Sequence, residues 1–218
     1  MHFPSAALRL SDIIVRTPLT RNNNLSQRYN ANVYLKREDL QVVRSYKLRG
    51  AYNMMSSLPA EQLAKGVVCA SAGNHAQGFA FSCRQLKTKG VVFMPIITPN
   101  QKVHQTRMFG EDWIELKLIG DNFDECARAA RKFTEENDMT FIPPFDDERI
   151  IEGQGTVGLE IMEDLGKIDY LFIPVGGGGL AAGVGSCIKE FSPTTQIIGV
   201  EPEDTHTVVV FKHHGVVV

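Results

Sequence analysis

The sequence predicts an α/β protein built on a parallel sheet with helices packed against it. Three observations carry this. Short apolar runs recur along the chain, segments of helical period lie between them, and turn residues are plentiful, with 19 Gly and 10 Pro in 218 residues.

The strand candidates, in order, are Val33 to Lys36, Val67 to Ala70, Val91 to Pro95, Trp113 to Leu118, Tyr170 to Val175 and Gln196 to Val200. Between them Ala76, Phe79, Ala80 and Cys83 recur at i, i+3, i+4 and i+7, as do Phe123, Cys126, Ala127 and Ala130, so both segments are expected as amphipathic helices. Asp121-Asn122 supply caps for the second, and Asp124 and Glu125 put negative charge in its first turn, where the helix dipole favours it. Val157, Ile161, Met162 and Leu165 mark a further helix, stopped at Gly166. No repeat, low-complexity linker or heptad pattern interrupts the alternation. The end does: Thr207 to Val218 is apolar, β-prone and almost uncharged, and reads as a cut-off or altered terminus.

A hydrophobic fraction of 43% with 22% charged residues excludes disordered and collagen-like chains. The net charge is -2 with Lys and Arg spread along the chain, which leaves no basic face for nucleic acid or an anionic membrane. A small-molecule partner is the expectation. No apolar run reaches the ~20 residues of a membrane span, and Met1 to Leu10 lacks a secretory layout, which favours the cytoplasm; an organelle form stripped of its transit peptide stays open. Cys69, Cys83, Cys126 and Cys187 sit among apolar neighbours and read as buried reduced thiols. The six histidines make no metal spacing, so no metal site is expected.

Three motifs carry chemistry. Pro174-Val175-Gly176-Gly177-Gly178-Gly179-Leu180 follows a strand and opens a helix; the glycines let main chain approach an anion, and the helix start supplies N–H groups and a positive dipole end. It fits neither the nucleotide-triphosphate loop nor, well, the dinucleotide fingerprint, and the plain alternative is a tight turn. Lys47, in Ser45-Tyr46-Lys47-Leu48-Arg49-Gly50-Ala51, lies near a helix start, where the dipole disfavours the ammonium and suits a Schiff-base lysine; the plain alternative is a solvated surface residue. Ser71-Ala72-Gly73-Asn74-His75-Ala76-Gln77-Gly78 is a turn at a helix start that can hold a carboxylate, with the Asn74 amide as donor to a ring oxygen; alone it is ordinary capping. Together they are the parts a pyridoxal-phosphate enzyme needs.

With Lys36-Arg37-Glu38-Asp39 and Gly153-Gln154-Gly155-Thr156, these motifs closely resemble, in order and spacing from about Leu8 to Glu203, the biosynthetic threonine dehydratases. The resemblance implies the tryptophan-synthase-β-like fold: a small three-layer αβα domain inserted in a larger αβα domain that is incomplete here. Residues 1–38 open the large domain, 39–140 form the small one, 141–203 return to the large one with the phosphate loop, and 204–218 are an atypical tail. It implies that Lys47 carries pyridoxal 5'-phosphate as an imine, that Asn74 bonds the ring hydroxyl, and that Gly176, Gly177, Gly178, Gly179 and Leu180 hold the phosphate. Ser71, Gly73, Asn74 and His75 would surround the substrate carboxylate.

Tyr46 stands where many relatives have Phe. Ala72 stands where the similar serine racemases carry a second base, which argues against racemisation. The implied reaction is conversion of L-threonine to 2-oxobutanoate and ammonia, the entry to isoleucine synthesis, with Lys47 removing the α-proton, in a full-length family that forms homo-oligomers. Alternatives are an inactive or regulatory truncated protein of this fold, a serine-preferring dehydratase, and, more distantly, a nucleotide-binding Rossmann protein. The resemblance also implies that the residue contacting the pyridine nitrogen lies beyond this chain. The expectation for the chain as given is therefore poor solubility, weak cofactor retention and little ammonia release.

Overall fold

Val67–Ala70 and Gly90–Met94 are buried at every position, as strands covered on both faces must be. In the computed structural model, which describes residues 1–202, they are the centre of a larger order. The chain runs α1 (Phe3–Leu10), β1 (Leu19–Arg21), α2 (Asn23–Tyr29), β2 (Tyr34–Lys36), a 3-10 turn at Glu38–Leu40, α3 (Lys47–Ser56), α4 (Ala60–Lys65), β3 (Val67–Ala70) and α5 (Asn74–Leu86). It continues through β4 (Gly90–Met94), α6 (Asn100–Gly110), a 3-10 turn at Glu111–Trp113, β5 (Ile114–Leu118), α7 (Phe123–Glu136) and β6 (Thr140–Phe141). The last elements are α8 (Glu148–Leu165), β7 (Tyr170–Pro174), α9 (Gly179–Phe191) and β8 (Gln196–Val200). The expected tail, 204–218, lies outside the described residues.

The main sheet has four parallel strands in the order β5-β4-β3-β6. Strand alternation divides its core. Val68, Ala70, Val91 and Phe93 face α7 through Cys126 and Ala130, while Val67, Cys69, Val92 and Met94 meet Phe79 and Cys83 of α5 and Met54 and Met55 of α3. Helices therefore cover both faces, the three-layer α/β arrangement expected. All four cysteines are free and buried.

The end signals work as read. Asn122 accepts the Glu125 N–H at 3.0 Å and Glu125 accepts the Asp121 N–H at 3.0 Å, a reciprocal cap on α7. Gly166, at φ 67, ends α8 in the left-handed region.

The strand at Val33 to Lys36 differs from expectation. It pairs antiparallel with β1, with Leu19 opposite Lys36, and stays outside the parallel sheet. Tyr34 and Leu35 are exposed, so this strand lacks the two-sided burial that a place in that sheet demands. Trp113 closes a 3-10 turn instead of opening β5.

A second parallel pair, β7-β8, is joined by α9 and packs on α8 through Val157, Ile161, Ile173, Val184 and Ile188. Its other side is open: Tyr170 and Phe172 are 54% and 64% exposed. Among the described residues no helix is long and apolar enough to cross a membrane.

Candidate functional site

Each of the three motifs lies at a helix start. α3 begins at Lys47 itself; α5 begins at Asn74, behind Gly73; α9 begins at Gly179, behind Gly178 at φ 85. No residue at the cap position bonds any of these three starts through its side chain; at α5 and α9 this leaves first-turn N–H groups for a ligand, with the positive dipole end behind them, whereas at α3 the Arg49 N–H bonds the Tyr46 carbonyl and the Gly50 N–H bonds Gln154.

A segment that sequence reasoning passed over, 142–145, brings the motifs together. His75 Nε2 donates to the Ile142 carbonyl at 3.0 Å, since a carbonyl only accepts. Lys47 Nζ donates to the Pro144 carbonyl at 2.6 Å and lies 5.6 Å and 5.9 Å from the ring centres of Tyr46 and Phe145. Phe145 in turn fills the space beside the glycine run. A Cβ on Gly177 would overlap the Phe145 ring, and one on Gly179 would come within 3.0 Å of the Phe145 carbonyl oxygen.

From the other side, Gly78 of α5 lies so close to α3 that a Cβ there would be 2.9 Å from the Leu48 nitrogen. The Ser71–Gly78 turn, Lys47 and the glycine run thus converge on one short segment. Asn74 and Gly176 are exposed within it, whereas His75 is buried. Ser71 Oγ accepts the Gly73 N–H at 3.2 Å, which fixes the turn.

Burial sets the charges. The Lys47 amine is pushed down from 10.5 to about 8 by desolvation. His75 is pushed down to about 4, first by burial and further by the nearby Lys47 charge, against the pull of its bond to Ile142. Its ring is neutral at pH 7 and committed to the Ile142 carbonyl.

The glycine run divides in two. Gly177 and Gly179 are against Phe145, whereas a Cβ on Gly176 or Gly178 would meet nothing within 4 Å. Two residues before Lys47, the buried Ser45 Oγ has no hydrogen-bond partner. An amine partly free at neutral pH, an open main-chain cradle at a helix start and an orphaned hydroxyl fit a phosphate-bearing aldehyde cofactor.

The other two motifs form a buried network behind the site. Arg49 bonds Glu38 and Glu160 in forked fashion and Thr156 through its hydroxyl, while Lys36 lies 2.5 Å from Glu160. Gln154 Oε1 accepts the Gly50 N–H at 3.2 Å. Lys36, Glu38, Arg49, Gln154 and Thr156 thus anchor the helix that bears Lys47. Arg49 and Glu160 lie on α3 and α8, and the separation of 111 residues hid their pairing from sequence reasoning.

Residues 10–218 match the family described as pyridoxal-phosphate dependent enzyme. The chain is 57% identical over 194 residues to the biosynthetic L-threonine dehydratase of Halalkalibacterium halodurans, covering 88% of this chain and 47% of that protein. It is 52% identical over 202 residues to that of Bacillus subtilis, covering 92% and 48%. Among solved structures it superposes on the processed form of threonine deaminase isoform 2 from Solanum lycopersicum with a TM-score of 0.92 at 45% identity, covering 99% of this chain and 63% of that one. Maize serine racemase gives 0.94 at 28% identity, covering 99% and 65%. The chain spans about half the length of the curated relatives it matches.

Proposed function

The chain belongs to the pyridoxal-phosphate-dependent enzyme family, and from that membership we propose that the whole protein is a threonine dehydratase, converting L-threonine to 2-oxobutanoate and ammonia. The observation that carries the reading is the meeting of Lys47 with the glycine run through Pro144 and Phe145. The choice of threonine over serine rests on the 57% identity to a relative named for threonine. Ala72, where a racemase would need a second base, supports elimination over racemisation.

Bound pyridoxal phosphate supplies an aldehyde that takes up amines and a ring that accepts the electron pair released at the substrate α-carbon. Lys47 holds the aldehyde end, and its amine, once free, takes the proton from that carbon; burial keeps a fraction of it unprotonated near neutral pH. The Ser71, Gly73, Asn74 and His75 turn binds the substrate carboxylate through N–H groups at the start of α5, and the Asn74 amide donates to the ring oxygen. The main chain of Gly176 to Leu180 holds the phosphate at the start of α9.

The same reading assigns residues 1–38 and 141–203 to a large domain, 39–140 to a small one and 204–218 to a tail. It makes the protein a cytoplasmic homo-oligomer acting on a small amino acid, without nucleic-acid or membrane partners.

The test is incubation of the intact protein with pyridoxal phosphate and either L-threonine or L-serine, measuring 2-oxobutanoate, pyruvate and ammonia. Equal amounts of 2-oxobutanoate and ammonia from threonine, lost in Lys47→Ala, are expected. A higher kcat/KM for pyruvate formation from serine points to the serine-preferring reading. Cofactor bound at Lys47 with no keto acid from either substrate points to the inactive or regulatory one.

A further inference from the structure

Pro144 and Phe145 carry no titratable or nucleophilic group, yet they touch both halves of the cofactor site. The segment they belong to is anchored at each end. Ile142 is fully buried, its N–H donates to the Val68 carbonyl at 2.8 Å, and its carbonyl accepts the hydrogen bond of His75 Nε2. At the other end the Asp147 N–H donates to the Phe145 carbonyl at 3.3 Å, and the Asp147 carboxylate accepts the Arg149 N–H at 2.8 Å, capping α8. The segment is thus tied to β3 and α5 at one end and to the start of α8 at the other.

Between the anchors its two contacts point in different directions. The Pro144 carbonyl accepts the Lys47 ammonium, a charge-assisted bond of 2.6 Å. The Phe145 ring is wedged where a Cβ of Gly177 would stand, with the Phe145 backbone against Gly179. Two of the four glycines in the run are therefore required by Phe145, and the remaining two, Gly176 and Gly178, face open space. We infer that Phe145, together with the Pro144 carbonyl, is a positioning strap that sets the Lys47 amine against the glycine run, so that aldehyde capture and phosphate grip depend on one side chain.

This rests on the assignment of Lys47 and the glycine run as the cofactor site. The Phe145 ring also screens Lys47 from water on one side, and desolvation is what lowers that amine to about 8. Phe145 is 37% exposed, so its removal opens no closed core cavity.

The experiment compares wild type, Phe145→Ala and Phe145→Leu of the intact protein, freed of cofactor, with two probes: pyridoxal and pyridoxal 5'-phosphate. The Lys47 amine adds to the probe aldehyde, water leaves, and borohydride reduces the C=N bond to a stable C–N bond; peptide mapping then quantifies the label on Lys47. The preference for the phosphorylated probe reports on the loop. The pH midpoint of pyridoxal capture reports on the amine.

In Phe145→Ala the preference is expected to fall roughly tenfold, and the midpoint to move up from about 8 toward the ordinary lysine value of 10.5. Phe145→Leu, which keeps an apolar wedge, moves both the same way by less, and it decides the matter if the alanine variant does not fold. A purely packing role lowers the melting temperature while leaving preference and midpoint at their wild-type values. That result, with wild type labelled at Lys47, overturns the strap alone. Wild-type label on another lysine overturns the site assignment itself.

Discussion

Replacing Arg49 by Met tests the buried network that holds the lysine-bearing helix. The Arg49 side chain is 0% exposed, and its partners Glu38 and Glu160 are 13% and 11% exposed. Nε and Nη2 reach Glu38 at 2.9 and 2.7 Å, Nη1 and Nη2 reach Glu160 at 2.6 and 3.0 Å, and Nη1 reaches Thr156 at 3.1 Å. Every donor of the guanidinium is used, and with Lys36 two cations face two carboxylates. Met fills much of the same space but leaves two carboxylates facing one ammonium where little water reaches. Removing one partner of a buried ion pair costs about 3–5 kcal/mol, which is the loss expected. Arg49→Lys keeps the charge but not the planar fork, and about 2 kcal/mol is expected.

The pH dependence gives a second handle. Burial pushes the Glu160 carboxyl up, but Arg49 and Lys36 outweigh it and hold it below its ordinary 4.5. A depressed carboxyl contributes stability that is present above its unfolded pKa and lost as pH falls through the folded one. The gap between wild type and Arg49→Met is therefore full at pH 7 and narrows below 4.5. Urea unfolding followed by circular dichroism at pH 7 and in acid measures it. A gap under about 1 kcal/mol at pH 7, or one that persists undiminished in acid, refutes the reasoning.

Lys47 has the opposite sign. Its folded pKa of about 8 lies below the ordinary 10.5, so the native state gives up its proton first and the amine costs stability at neutral pH, by at most about 3 kcal/mol. Relative to Lys47→Gln, the cofactor-free protein is expected to gain stability as pH rises from 8 to 10.5; a difference independent of pH counts against the buried-amine account. The glycine run gives a paired test. Gly177→Ala forces a methyl into the Phe145 ring and is expected to destabilise the cofactor-free protein by about 1–3 kcal/mol. Gly176→Ala points into open space; stability is expected to stay within about 0.5 kcal/mol while pyridoxal-phosphate affinity falls about tenfold. Equal loss of stability and affinity in both variants marks the run as a plain turn.

What was legible in the sequence is what a periodic pattern or a special backbone position records. β3 and β8 begin and end where their apolar runs do, because glycine, serine and charged residues bound them. α7 shows one apolar stripe, as expected, whereas α5 is buried continuously from His75 to Cys83, because it is packed between the sheet and α3, so its stripe understated its burial. Asn122 and Gly166 mark ends through chemistry that only a few residue types can supply. β6 is two residues long and exists only through its pairing with Val67 and Val68, so it leaves no period to read. The helix starts at Asn74 and Gly179 were legible because glycine and helix signals coincide there. The 142–145 segment was not, since it acts through main-chain carbonyls and one ring. The only available signal was the pair Pro143-Pro144, which follows an apolar run and has carbonyls but no N–H groups of its own.

Glycines outside the glycine run let neighbouring helices press closely on the helix that bears Lys47. α3 is approached closely from two sides. A Cβ on Gly78 would be 2.9 Å from the Leu48 nitrogen, and one on Gly153 would be 2.7 Å from the Gly50 Cα. With the Gln154 bond to Gly50 and the forked grip on Arg49, the helix backbone has little freedom to shift. If Lys47 takes the cofactor as proposed, its amine leaves the Pro144 carbonyl through its own side-chain torsions. A long, unbranched lysine at the first position of an immobilised helix provides that. Under the proposed assignment of Lys47, the Gly153-Gln154-Gly155-Thr156 motif acts at a distance from the chemistry by fixing the helix at the base of the Lys47 side chain.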